Sequence, residues 1–138
     1  MTALNKERFA RFRKAGGIDL KVAAGVKIWK GAWCVLEDGY LRPAHASATG
    51  TSAGRASDTV DNTTGGNGDV TAHVKFLKEK TFMPMIGNAG EFVQADIGNE
   101  AYLLDDQTVT HTGSGHVGMG TAWWLETNNS VQTVFVEV

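Results

Sequence analysis

The 138-residue sequence predicts a mainly β chain: a single-domain antiparallel β-barrel or sandwich behind an N-terminal arm or short helix. Three observations carry that expectation. Short runs alternate apolar and polar residues with the period of a half-buried strand, most plainly Val70, Ala72, Val74 and Phe76 against Thr71, His73 and Lys75. Seventeen glycines against two prolines, roughly twice ordinary glycine usage, supply many tight turns. Beyond residue 17 no ten-residue stretch carries a helical period, and short strands with glycine-rich turns are the pattern of antiparallel β architectures.

Taken in order, residues 5–15 (NKERFARFRKA) combine good helix formers with Phe9 and Phe12 at i, i+3 spacing and stop at Gly16-Gly17. A short amphipathic helix, or an arm that orders on binding, is expected over residues 1–17, ahead of a β domain over 18–138. Two phenylalanines bury little alone, so this segment needs a partner surface, on its own body or on a neighbour. Ile18, Leu20 and Val22 alternate with Asp19 and Lys21 as a first strand. VKIWKGAWCVLEDGYLRPA then reads as strands folded at Asp38-Gly39, a hairpin-turn pair. Residues 45–64 are small and polar apart from Val60 and read as a long loop with one strand near 56–60. Further strands are expected at 81–86, 100–104, 117–125 and 131–138, with Pro84 placing the first at an edge or a bulge. Because strand neighbours face opposite ways, Trp123 and Trp124 are expected one in the core and one outward.

Composition narrows the function classes. No window approaches the run of about 20 apolar residues that spans a bilayer. The charged N-terminus lacks the apolar stretch of a signal peptide, so the protein is expected to act where it is made. Cys34 is the only cysteine, which rules out an intramolecular disulfide, and its setting in AWCVL is that of a small buried hydrophobe. Residues 1–30 carry a net charge of +6 and residues 31–138 a net charge of −8. A basic front can meet nucleic acid, an acidic protein surface or the acidic body of another copy; it can equally be a solvated helix face.

The chemical motifs fall short one by one. GSGHVG at 113–118 matches the dinucleotide pattern G-x-G-x-x-G, but MGTAWWLE follows it and no βαβ unit surrounds it. GGNGDV at 65–70 resembles a calcium nonapeptide with Asp69 one position early and only one copy. No glycine-rich run leads into Gly-Lys-Ser/Thr. His45, His73, His111 and His116 are the only imidazoles; His111 and His116 flank a glycine loop, where a metal would need further ligands. Asp105 and Asp106 are adjacent, so on a strand their carboxylates diverge, and a turn is the expected setting. Ser114 lacks the first glycine of the nucleophile elbow. No catalytic set, cofactor or metal is expected. The alternatives to a structural role are a small-ligand or carbohydrate-binding β module using Trp123 or Trp124, and a hydrolase or nucleotide enzyme built on His111, His116 and GSGHVG.

The order of segments is more specific than any one motif. VAAGVKIWKGAWCVLEDGYLRPA, then DNTTGGNGD entering VTAHVKF, then ADIGNEAYLLDDQTV, then VQTVFVEV resembles the small capsid decoration (cement) proteins of tailed bacteriophages, over roughly residues 22–138. The resemblance implies a non-enzymatic virion protein on the outer surface of the head, made in the bacterial host cytoplasm, that binds the major capsid protein and bridges its subunits. It also implies a homo-oligomer, with a trimer as the expected state, no membrane and no direct contact with nucleic acid. Asp61, Asn62, Gly65 and Gly68 match the family's turn, and Asp96, Gly98, Tyr102, Asp105 and Asp106 its later strand and turn; all are expected to be structural. The N-terminal segment matches least, so a capsid-contact role for Arg8, Phe9, Arg11, Phe12 and Arg13 rests on charge and amphipathicity.

Overall fold

The computed structural model describes residues 16–75 and 81–138. The expected N-terminal helix or arm, with Arg8, Phe9, Arg11, Phe12 and Arg13, lies outside the described residues. Within them the chain is mainly β and built from antiparallel sheets, as the alternating runs predict.

The first half holds β1 (Gly17–Lys21), β2 (Lys27–Ile28), β3 (Trp33–Glu37), β4 (Tyr40–Pro43), β5 (Thr51–Ala56), β6 (Val60–Asp61) and β7 (Thr71–Lys75). Five of these form a sheet in the order β1-β7-β5-β3-β4, and β2 pairs with β6 as a separate ribbon. The sheet curls until its ends meet: Val22, just past β1, bridges Leu41 of β4, and the Ala23 amide donates to the Leu41 carbonyl at 2.9 Å. The expected hairpin joins β3 to β4 through Asp38 (φ 51°) and Gly39 (φ 83°), the paired positive φ angles of a tight two-residue turn.

The second half is a closed five-stranded barrel in the order β10-β8-β12-β11-β9, made of β8 (Phe82–Gly87), β9 (Glu100–Leu103), β10 (Thr108–Thr110), β11 (Gly118–Asn128) and β12 (Val131–Glu137). Only β8 and β10 run parallel. Pro84 sits where β8 has a neighbour on one side only, because β10 reaches no further than Ile86 and Gly87. There its missing N–H breaks no ladder. Two short 3₁₀ turns, Asn88–Gly90 and Gln94–Asp96, carry the chain from β8 to β9. Between them Phe92 is buried, held by two hydrogen bonds with the Gln132 side chain: Phe92 N–H to Oε1 at 3.1 Å and Nε2–H to the Phe92 carbonyl at 2.8 Å.

β3 explains how the two halves become one body. Its alternate residues serve two cores. Cys34, with Ala32 just before the strand, packs with Val22, Ile28, Leu41, Ala72 and Val74, whereas Trp33 and Val35 pack with Leu103, Val109, Val134 and Val136 of the barrel. A strand buried on both faces reads as a continuous apolar run, which is why AWCVL shows no alternation. The seam is tied by the Trp33 amide donating to the Asp106 carbonyl at 2.8 Å, while the Trp33 indole is held from its own sheet by Ser52 Oγ at 2.7 Å.

One expectation is corrected. Residues 45–64 are not a long loop with a strand near 56–60, because β5, TSAGRA, is an interior strand between β3 and β7. Its residues are small because the neighbouring backbone runs close. A Cβ on Gly54 would stand 2.6 Å from the Lys75 carbonyl oxygen, and Gly54 holds φ +145°. Small polar residues at a close approach resemble a loop in one dimension.

Candidate functional site

The glycine-rich stretch DNTTGGNGD is a structural turn closed by its own polar side chains. Asp61 Oδ1 accepts from the Thr63 amide at 3.0 Å and the Thr63 hydroxyl at 2.7 Å, and these bonds, the hydroxyl's first, hold its carboxyl below the usual range. Asn62 is buried and reaches across the turn: its Nδ2 donates to the carbonyls of Ala23 (2.8 Å), Gly66 (3.0 Å) and Val22 (3.4 Å). Asp69 Oδ2 accepts from the Gly66 amide at 2.7 Å, and Asn67 Oδ1 from the Ala24 amide at 2.7 Å. The glycines are needed for two different reasons. Gly68 has φ +81°, whereas Gly65 and Gly66 do not take positive φ; at Gly65 a Cβ would overlap the Asn62 side-chain oxygen.

Asp105 and Asp106 stand in the turn between β9 and β10 and do different things. Asp105 Oδ1 accepts from the amides of Gln107 (2.9 Å) and Thr108 (2.7 Å). The Asp106 carboxylate, by contrast, is half-buried and its pKa is raised above the usual carboxylate value, first by burial and then by the charge of Asp105. It borders an open cleft of about 340 Å³ together with Trp29, Lys30, Gly31, Ala32 and Gln107.

The histidines do not converge on one centre. His111 Nδ1 lies 3.1 Å from Asp96 Oδ2 and His116 Nδ1 lies 2.7 Å from the Ala46 carbonyl oxygen. His45 pairs with Glu37 at 3.2 Å and His73 with Asp19 at 2.7 Å. Around His111 the carboxylates are held in place: Asp96 also accepts from the Val93 amide at 2.8 Å, and Glu91 accepts from the Thr110 hydroxyl and, at 3.2 Å, from the His111 amide. Cys34 is fully buried with its thiol pushed up to about 12, chiefly by burial, so it is not a nucleophile in the folded protein. The GSGHVG segment leads directly into strand β11, with no helix to meet a pyrophosphate.

Strand alternation misplaces one exposed aromatic surface. Trp123 and Trp124 are both exposed, by 47% and 59%, rather than one in the core and one outward. The cause is a bulge: the β11–β12 register shifts between Ala122 and Trp124, and the extra residue lets both indoles leave the core while Ala122 stays in it. Trp124 then lies opposite Phe135, ring centroids 6.0 Å apart, and Phe135 lies opposite Pro84. Phe82, 42% exposed, joins them around a shallow depression of about 310 Å³ whose only charged wall among the described residues is Glu126. The result is an aromatic face across β11, β12 and β8 on the outside of the barrel. Two adjacent tryptophans after Gly118 and Gly120 break strict alternation, and that break was the available signal in the sequence. No protein-family model, curated protein or solved structure matches the chain.

Proposed function

We propose that this protein is a non-enzymatic structural component of a phage head, bound to the outside of the shell as a homo-oligomer, a trimer, and bridging subunits of the major capsid protein. The aromatic face of Phe82, Trp124 and Phe135 carries the reading. Contiguous exposed aromatics on a stiff sheet are what a protein-binding surface requires, since they remove apolar area from water at little cost in side-chain entropy. The resemblance in segment order described above supports the same reading. A body whose two cores meet on either side of β3 suits a bridging role. Modest contacts repeated over a shell add through avidity.

The test is to add the purified protein to heads that lack it and image them by electron microscopy, alongside the double variant Phe82→Ser/Trp124→Ser. Density on the shell with the parent protein and its loss with the variant is the expected outcome. Absence of density with the parent protein, or heads no more resistant to heat or chelator with it than without it, overturns the proposal.

A further inference from the structure

The cleft beside Asp106 has the chemistry of a ligand site, and it lies apart from the aromatic barrel face. Its first wall is the turn from Trp29 to Ala32, closed by the Ala32 amide donating to the Trp29 carbonyl at 3.0 Å with Gly31 at φ +90°. That turn is fixed from behind, by the Gly31 amide on the Ala56 carbonyl at 2.9 Å and the Lys30 amide on Thr59 Oγ1 at 3.0 Å. The second wall is the Asp105–Gln107 turn, fixed by the Asp105 bonds and by the Asp106 carbonyl's bond to Trp33. Both walls are therefore preorganised, which lowers the entropy cost of binding.

The groups that face the cleft define its ligand. Trp29 is 58% exposed, with the Lys27 ammonium 3.9 Å from its ring centroid, so one face is covered by the cation and the other is free to stack. Asp106 lines the cleft, and among the described residues no other residue donates a hydrogen bond to its carboxylate, which leaves it acceptor capacity for a ligand. Gln107 adds an amide that both donates and accepts. Lys30 and Asp106 both line the cleft, so a ligand of either charge meets a like charge there. A neutral molecule with one apolar ring face and several hydroxyl donors satisfies every wall. The volume is at the small end of ligand pockets, about 300–1,000 Å³.

We infer that the cleft formed by Trp29, Asp106 and Gln107 is a carbohydrate-binding site, taking a neutral mono- or disaccharide whose ring stacks on the Trp29 indole while its hydroxyls donate to the Asp106 carboxylate. The aromatic face around Trp124 is the weaker sugar site, because Glu126 is the one charged or polar lining residue among the described residues. An open cleft of this size binds one sugar weakly, with Kd about 1 mM, and many copies on one particle raise the effective strength. On a displayed protein such a site gives the particle adhesion to glycan-bearing surfaces. The inference does not depend on the head-binding proposal.

The experiment is a titration of the full ¹⁵N-labelled chain with glucose, galactose, N-acetylglucosamine and their disaccharides, each to tens of millimolar, following the four tryptophan indole N–H signals. The expected result is a saturable shift of the Trp29 signal for at least one sugar, with the Trp123 and Trp124 signals still. Asp106→Asn is expected to weaken that sugar about tenfold, equivalent to about 1.4 kcal/mol, and Trp29→Ala to remove binding with the remaining spectrum intact. No saturable shift with any sugar, a shift confined to Trp123 or Trp124, an undiminished response in Trp29→Ala, or a response to an arginine-rich peptide and to no sugar overturns the inference.

Discussion

Replacing Asn62 by alanine tests whether the glycine-rich turn is held by one buried amide. That amide supplies the donors for the carbonyls of Val22, Ala23 and Gly66, at 3.4, 2.8 and 3.0 Å, and Asn62 is only 2% exposed. A net hydrogen bond contributes about 1 kcal/mol and a buried acceptor left bare costs about 1–3 kcal/mol, so Asn62→Ala is expected to cost about 2–4 kcal/mol. For a chain of this size that is a fall in Tm of about 10 °C. Asn62→Asp is expected to be worse at neutral pH, because it sets a carboxylate against carbonyl oxygens. That carboxyl's folded pKa would be raised above its unfolded value, so the deficit should shrink as pH falls toward about 4 and the acid regains a proton to donate. Urea titration followed by tryptophan fluorescence, at neutral pH and at mildly acid pH, reads both effects. A cost for Asn62→Ala below about 0.5 kcal/mol, or an Asp variant as stable as the Ala variant at neutral pH, would refute the idea that Asn62 ties the turn together.

Four further predictions follow from other contacts. Burial by itself would raise the Glu91 carboxyl, but its bonds from Thr110 and His111 outweigh that; Asp96 is lowered first by the Val93 amide. Both therefore add stability above the ordinary carboxylate range that is lost as pH falls through their depressed values, so hydrogen-exchange protection of the Phe92 amide should drop in that acid window and the Glu91→Gln/Asp96→Asn variant should lose that pH dependence. Asp106 has the opposite sign: its raised pKa means the folded state is penalised at pH values above the ordinary carboxylate range, so Asp106→Asn should raise Tm at neutral pH, and a lowered Tm would contradict the burial argument. Gly120→Ala should block correct folding, because a Cβ there overlaps the Glu137 carbonyl of β12; a variant with parental Tm would show that the bulge yields freely. Cys34 should resist thiol reagents at pH 8 in the native protein and react at once in denaturant, and rapid native labelling would contradict its burial.

Much of the fold is legible in the sequence because the relevant forces are local. Alternation over residues 70–75 requires one face in and one face out, Asp38-Gly39 tolerates positive φ at both positions, and Pro84 cannot serve a fully paired strand. The gaps arise where a distant segment sets the environment. β5 carries no apolar pattern because it is chosen for the closeness of Lys75 and Val74, 20 or so positions away in sequence. The paired exposure of Trp123 and Trp124 comes from a bulge, a mismatch in length between two strands that neither strand contains alone.

The candidate sites divide the same way. The types of residue in DNTTGGNGD, small, polar and glycine-rich, identify a turn, since they satisfy backbone groups and allow conformations that bulky residues resist. What Asn62 does was not local: it bonds Val22 and Ala23 about 40 positions earlier. Trp29 and Asp106 are far apart in sequence and share a cleft only because β3 lies against the barrel, held by the Trp33 bond to Asp106. The sequence by itself determined the β class, the hairpins and the turn chemistry, which depend on near neighbours. The tertiary structure decided which aromatics face water and which polar groups meet across a seam, because burial and proximity belong to the closed sheets rather than to any segment of the chain.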